Sequence, residues 1–157
     1  MAGNERSIQA ILFDIGDTLV HAAAPTTAVA DLSVRPIGDV VAELTKLHRH
    51  YRLGAVTDTS VMTSADVRRA LAGSGLGDLL EVIVTSVDAG AAKPDPRGLV
   101  AAMAALGAEA DEVLFVGDAD VDEGAAHNAG VRFVRAGGGR SPGGPIEKVL
   151  GDLNRKS

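Results

Sequence analysis

A chain of 157 residues is long enough to bury a substantial core and is expected to form one domain, residues 1–157. With 46% hydrophobic, 23% charged and only 3% aromatic residues it has the make-up of an ordinary folded protein whose core is built from Ala, Val and Leu. The net charge of −6 argues against a nucleic-acid partner, and the lack of Cys excludes disulfides, thiol catalysis and cysteine zinc sites.

The polar start MAGNERS and the short apolar run behind it read as neither a leader nor a membrane span, so a cytoplasmic protein with no membrane partner is expected. The first predicted element is a strand over Ala10–Phe13, an apolar run without helical period, of the kind buried on both faces of a sheet. It stops at Asp14, and Gly16, Asp17 and the Thr18 hydroxyl follow as turn chemistry. Residues 21–35 read as an irregular loop. Pro36 suits a first helical turn, and Ile37, Val40, Val41, Leu44 and Leu47 mark one stripe of a helix running to about His50. A second strand, Leu53–Val56, ends in Thr57-Asp58-Thr59-Ser60. Thr63 or Ser64 caps the next helix, which carries Val67, Ala70 and Leu71 inward and stops at Gly73 and Gly75.

Glu81–Thr85 is the third predicted strand. The loop AGAAKPDP follows, its two prolines bracketing Asp95 and launching a helix of about Arg97–Leu106. A fourth strand, Glu112–Val116, is closed by Gly117-Asp118, and a helix of about Asp122–Ala129 leads to a fifth strand, Val131–Arg135. The glycine-rich residues 136–144 read as a mobile surface connection and Pro145–Leu153 as a final helix before the tail. No internal repeat is present. Strand and helix alternate throughout, which predicts an α/β fold with a parallel sheet and helices on both faces.

In such a sheet the loops after the strand C-termini share one edge, where open α/β sheets place their ligands. Asp14, Thr57, Lys93, Asp118 and Asp122 all fall there. Carboxylates from two separate strands suit a hard cation such as Mg²⁺, which keeps positions for substrate oxygens and water. A hydroxyl and backbone N–H groups at a strand-to-helix turn suit phosphate, and a lysine offsets charge between them. Together these groups describe metal-assisted phosphoryl transfer with an Asp nucleophile. Each residue singly has a plainer role open to it: Thr57 as a strand-end cap, Lys93 as a solvated loop charge, Asp122 as a helix N-terminal acid.

The ordered set resembles the haloacid dehalogenase-like superfamily. Its four motifs match ILFDIGDTL, LGAVTDTS, AAKPDP and FVGDADVDEGAAHNAG, in family order, and the similarity covers residues 8–135. The resemblance implies a three-layer, Rossmann-like sheet of about five strands with no cap domain. It further implies that Asp14 attacks phosphorus and forms an aspartyl-phosphate. The Asp14 carboxylate, the Gly16 carbonyl and Asp118 would hold Mg²⁺, with Asp122 beside or behind them. Thr57 and the Asp58 amide would bind phosphate oxygens, and Lys93 would offset the charge on nucleophile and phosphoryl group.

One position departs from the family pattern. Phosphatases of the family usually carry a second Asp two residues after the nucleophile, as general acid and base; here that residue is Gly16, and Asp17 comes one later. On an extended segment Asp17 points elsewhere. Three readings stay open: Asp17 swings in after a backbone twist, the substrates have good leaving groups, or hydrolysis is slow and the site mainly binds. A catalytically weak phosphate- or partner-binding domain is therefore the alternative function. Family members that cleave carbon–halogen bonds also lack this acid, but they carry a helical cap and use no metal, whereas residues 20–35 are too few for such a cap. A receiver domain is disfavoured because its phospho-acceptor ends the third strand, here Thr85-Ser86.

No cap is evident between Ser60 and Lys93 either, so the site is expected to be open. It would take a phosphorylated small molecule or a bulky substrate, or be covered by a second copy in a homo-oligomer. His21 lies near its edge, whereas His48, His50 and His127 are dispersed and have no zinc-site partners. Asp120 is expected to be solvated, and Gly137–Gly139 to be a flexible link rather than a phosphate loop.

Overall fold

The computed structural model describes residues 7–21 and 34–156; most of the predicted loop over 21–35 and the polar start lie outside them. Ala10–Phe13 forms β1, with all four residues buried. Its side chains alternate between two cores, which is why the run shows no polar face. Ile11 and Phe13 enter one cluster and Ala10 and Leu12 the other.

β1 pairs in parallel with β2 (Arg52–Thr57) on one side and β4 (Val113–Gly117) on the other, and β3 (Val82–Thr85) and β5 (Arg132–Arg135) complete the five-stranded sheet in the order β3-β2-β1-β4-β5. The α/β class and the parallel sheet are as expected. Helices α1 (Val40–His48), α2 (Ser64–Leu71) and α6 (Gly143–Lys156) cover the face that holds Ile11 and Phe13. Helices α4 (Arg97–Leu106) and α5 (Asp120–Ala129) cover the face that holds Leu12 and Phe115. Among the described residues no cap domain stands over the sheet, and no helix is long and apolar enough to cross a membrane.

Several boundaries differ from the sequence expectation, each for a local reason. α1 starts at Val40 rather than at Pro36, because Gly38 is left-handed (φ 51°) and the Ile37 amide donates to the Leu19 carbonyl (2.9 Å). That arrival ties residues 36–39 to the segment after β1 instead of letting them coil. For α2 the cap is Thr63: its hydroxyl accepts from the Asp66 amide and the Asp66 carboxylate accepts from the Thr63 amide. A short helix not foreseen, α3 (Ser86–Ala89), follows β3 and is capped by Thr85. α5 starts two residues earlier than predicted and α6 at Gly143, where the Glu43 carboxylate accepts from the Gly143 amide (2.8 Å).

Candidate active site

The turn after β1 closes on one carbonyl. The amides of Thr18, Leu19 and Val20 all donate to the Ile15 carbonyl, at 3.2, 2.9 and 3.1 Å. To enter this turn Asp17 takes a left-handed conformation (φ 61°), so the segment is not extended as the sequence reading assumed. The Asp17 side chain is exposed at the mouth of the turn. Among the described residues no backbone hydrogen bond ends on the Gly16 carbonyl. The Thr18 hydroxyl is fully buried without a partner among the described residues. His21 is exposed on the strand-like exit, its amide donating to the Arg35 carbonyl (2.9 Å).

Asp14 stands one residue beyond β1, its amide still in the ladder to the Val116 carbonyl (2.8 Å). Lys93 reaches it across the sheet edge. Its Nζ donates to Asp14 Oδ1 (2.9 Å), Asp122 Oδ1 (2.5 Å) and the Val56 carbonyl (3.2 Å), which uses all three of its protons. The Lys93 side chain is only 4% exposed, so it is a buried cation and not a solvated loop charge. Asp58 fixes its backbone: Asp58 Oδ1 accepts from the Lys93 amide (3.1 Å). The sequence reading assigned Asp58 only an amide for phosphate and missed this carboxylate anchor. Thr57 ends β2, buried and paired in register with Thr85.

On the other side of β1, Asp122 turns back under the end of β4. Its Oδ2 accepts from the amides of Asp118 (3.1 Å) and Ala119 (3.0 Å). It is 1% exposed, and both of its oxygens are committed. Gly117 permits this fold-back, since a Cβ there would meet the Asp122 carboxylate. Arg135, which sequence reasoning did not single out, donates to the Asp118 carbonyl and pairs with the exposed Asp120 and with Glu123.

Asp14, Asp118 and Asp122 each offer a carboxylate oxygen, all within 4.8 Å of one another. Against these three stands one ammonium, leaving an excess of negative charge in a largely buried place. The electrostatics follow. Burial pushes Asp14 up to about 7 from its ordinary 3.8; Lys93 pulls it down, while Asp122 and Asp118 push it further up. For Lys93 burial works to discharge the ammonium, but the Asp14 and Asp122 carboxylates outweigh it and hold its pKa above the ordinary lysine value. A clustered, under-neutralised carboxylate set fits a hard divalent cation. The structure thus brings together Asp14, Lys93, Asp118 and Asp122; Thr57 and Asp58 border them, and Asp17 lies on the exposed rim.

The sequence profile of the haloacid dehalogenase-like hydrolases matches residues 20–136, most of the chain, beginning just after the Asp14 turn. A protein called Phosphatase MT3486 from Mycobacterium tuberculosis is 42% identical over 85 residues, 54% of this chain and 38% of that protein. A phosphoglycolate phosphatase from Pectobacterium atrosepticum is 42% identical over 83 residues, 53% of this chain and 36% of that protein. The matched region is thus well under half the length of these relatives. The crystal structure of a hydrolase of the same superfamily from Ehrlichia chaffeensis shares the fold, with a TM-score of 0.74 and 16% identity over 95% of this chain and 100% of that one. With the profile matched and the sheet, its order and the carboxylate cluster in place, the chain belongs to the haloacid dehalogenase-like hydrolase family.

Proposed function

We propose that this protein is a Mg²⁺-dependent phosphohydrolase that works through an aspartyl-phosphate on Asp14. The observation that carries the reading is the buried Lys93 bridging Asp14 and Asp122, with Asp118 beside them. Asp14, the Gly16 carbonyl and Asp118 would hold Mg²⁺, and Asp122, with its oxygens already engaged, would steady Lys93 behind them. Bound there, Mg²⁺ supplies electrostatic stabilisation of the phosphoryl oxygens. The phosphatase names of the two relatives support a phosphorylated substrate.

In this reading Thr57, the Asp58 amide and Lys93 orient the phosphate. Asp14 attacks phosphorus, the ester P–O bond breaks, and the leaving oxygen takes a proton. Water then attacks phosphorus, releasing phosphate and restoring Asp14. Lys93 stabilises the negative charge on the transferred group, as preorganised cations do in phosphoryl transfer. The proton for the leaving group is the weak point. At Gly16 there is no side chain to give it, and Asp17, one residue later, is exposed. Substrates with good leaving groups, such as acyl and aryl phosphates, suit this site best.

Gly16 also favours a second reading, a catalytically weak domain that keeps the site for binding phosphate or a partner. Asp118 and Asp122 favour metal-assisted phosphoryl transfer over dehalogenation. The decisive experiment is hydrolysis of para-nitrophenyl phosphate and acetyl phosphate, with and without Mg²⁺, by the protein and by Asp14→Asn. Mg²⁺-dependent turnover that disappears in Asp14→Asn supports the hydrolase. No turnover by folded protein moves the assignment to the binding domain.

The reading includes a single domain with an open site, a cytoplasmic setting and cover by a second copy. Val61, Val87 and Val121, which follow the C-termini of β2, β3 and β4, are 71%, 42% and 41% exposed and offer apolar surface for such a cover. Solution scattering that returns the mass of a monomer at working concentration refutes the oligomer.

A further inference from the structure

Beside Asp118 the sheet edge opens into a recess of about 670 Å³, walled by the segment that leaves β5. Gly137 brings that segment onto the site. Its φ is 136°, and a Cβ there would stand 2.7 Å from the Asp118 Cβ and 3.6 Å from the Asp17 carbonyl oxygen. Farther along, Glu43 accepts from the Ser141 hydroxyl and the Gly143 amide, both at 2.8 Å. The glycine-rich stretch is therefore held at both ends and forms one wall of the site, which a plain connection would not.

Two guanidinium groups line this recess, and they differ. Arg135 is balanced by Asp120, Glu123 and the Asp118 carbonyl. Arg140 is exposed, and among the described residues no carboxylate pairs with it. In a molecule of net charge −6 an unpaired arginine on the rim of an acidic site is the natural receiver of an anion. The recess has the size of a small-molecule site. Its wall also carries Glu43 and Asp118, so a singly charged group suits it better than a second phosphate.

We propose that Arg140 and the 137–141 segment form a second subsite that receives a carboxylate of the substrate while its phosphoryl group sits at Asp14. The planar guanidinium fork matches a carboxylate in two parallel hydrogen bonds. This assignment rests on the phosphohydrolase reading. It makes the substrate a small carboxylate-bearing phosphate with a good leaving group, selected by the glycine-rich segment in place of a cap.

The test compares the full chain with Arg140→Ala and Arg140→Lys, in Mg²⁺, on phosphoenolpyruvate, a carboxylate-bearing ester with a good leaving group, and para-nitrophenyl phosphate. The ratio of kcat/KM for the first ester over the second should fall about tenfold in Arg140→Ala and recover in part in Arg140→Lys. An unchanged ratio overturns the subsite. Calorimetric titration with phosphonoacetate and with inorganic phosphate gives a readout independent of turnover. The protein should prefer phosphonoacetate, and Arg140→Ala should lose that preference; no preference in the unaltered protein also overturns the subsite. Selective phosphonoacetate binding without turnover of either ester would sink the hydrolase reading and leave the subsite standing. Turnover of para-nitrophenyl phosphate with no effect of Arg140 on either readout would do the reverse.

Discussion

A Cβ on Gly117 would stand 2.5 Å from Asp122 Oδ2, closer than real side chains come. Glycine at the end of β4 thus lets Asp122 fold back, take the amides of Asp118 and Ala119 on one oxygen and hold Lys93 on the other. The Gly-Asp pair of the fourth motif has a steric reason as well as a chemical one.

Gly117→Ala should displace that carboxylate and cost about 1–3 kcal/mol, the usual range for overpacking a tight site. Urea denaturation measures the loss, and hydrolysis of para-nitrophenyl phosphate should fall with it. A variant as stable and as active as the parent would show that Asp122 can move aside without consequence.

Among the described residues Lys93 is the only ammonium paired with the clustered carboxylates, and removing it leaves buried negative charge uncompensated. Lys93→Met should therefore cost about 3–5 kcal/mol. Since Lys93 lowers the Asp14 pKa, its loss should also send that pKa further up. Adding Asp14→Asn to Lys93→Met should recover part of the stability. If the double variant is no more stable than the single one, the two groups are not coupled as the geometry indicates.

The Asp14 pKa makes metal-free stability depend on pH. Folded, Asp14 keeps its proton up to about pH 7, whereas unfolded it loses it near 3.8. Between those values the unfolded chain binds fewer protons, so this contribution is full at low pH and lost as pH rises to about 7. Lys93, whose pKa lies above its ordinary 10.5, adds no slope in this range. Denaturation in chelator should show a decline of a few kcal/mol, on the order set by the shift, which Asp14→Asn removes. Protons compete with a cation for Asp14, so Mg²⁺ affinity by calorimetry should rise with pH and level off above about 7. A flat profile for both quantities counts against a buried, protonatable Asp14.

Gly16→Asp places a carboxylate where the family's phosphatases usually keep their acid. General acid catalysis contributes about two to four orders of magnitude, most for poor leaving groups. Hydrolysis of an alkyl phosphate should gain far more than that of para-nitrophenyl phosphate or acetyl phosphate. Equal rates for all three substrates before and after the change would mean that leaving-group protonation is already supplied, with Asp17→Asn the variant to examine next.

What the sequence determined by itself is local. An apolar run with no period, broken by Asp14, already states a doubly buried strand and a carboxylate at its end, because burial on both faces removes polar alternation. Pattern and turn chemistry likewise recovered β2 to β5, the helices between them other than α3, and the edge that gathers Asp14, Thr57, Lys93, Asp118 and Asp122. Tertiary structure decided the rest. The late start of α1 depends on a left-handed Gly38 and on Leu19, and the turn at Asp17 depends on the Ile15 carbonyl, neither of which a periodicity can encode. That Lys93 is buried between two carboxylates, that Asp58 anchors its backbone, and that Glu43 clasps Ser141 from 98 residues away are products of packing distant segments together. Residue type fixes what a side chain can do chemically; only the folded neighbourhood sets which partner it meets, how dry the meeting is, and hence its charge.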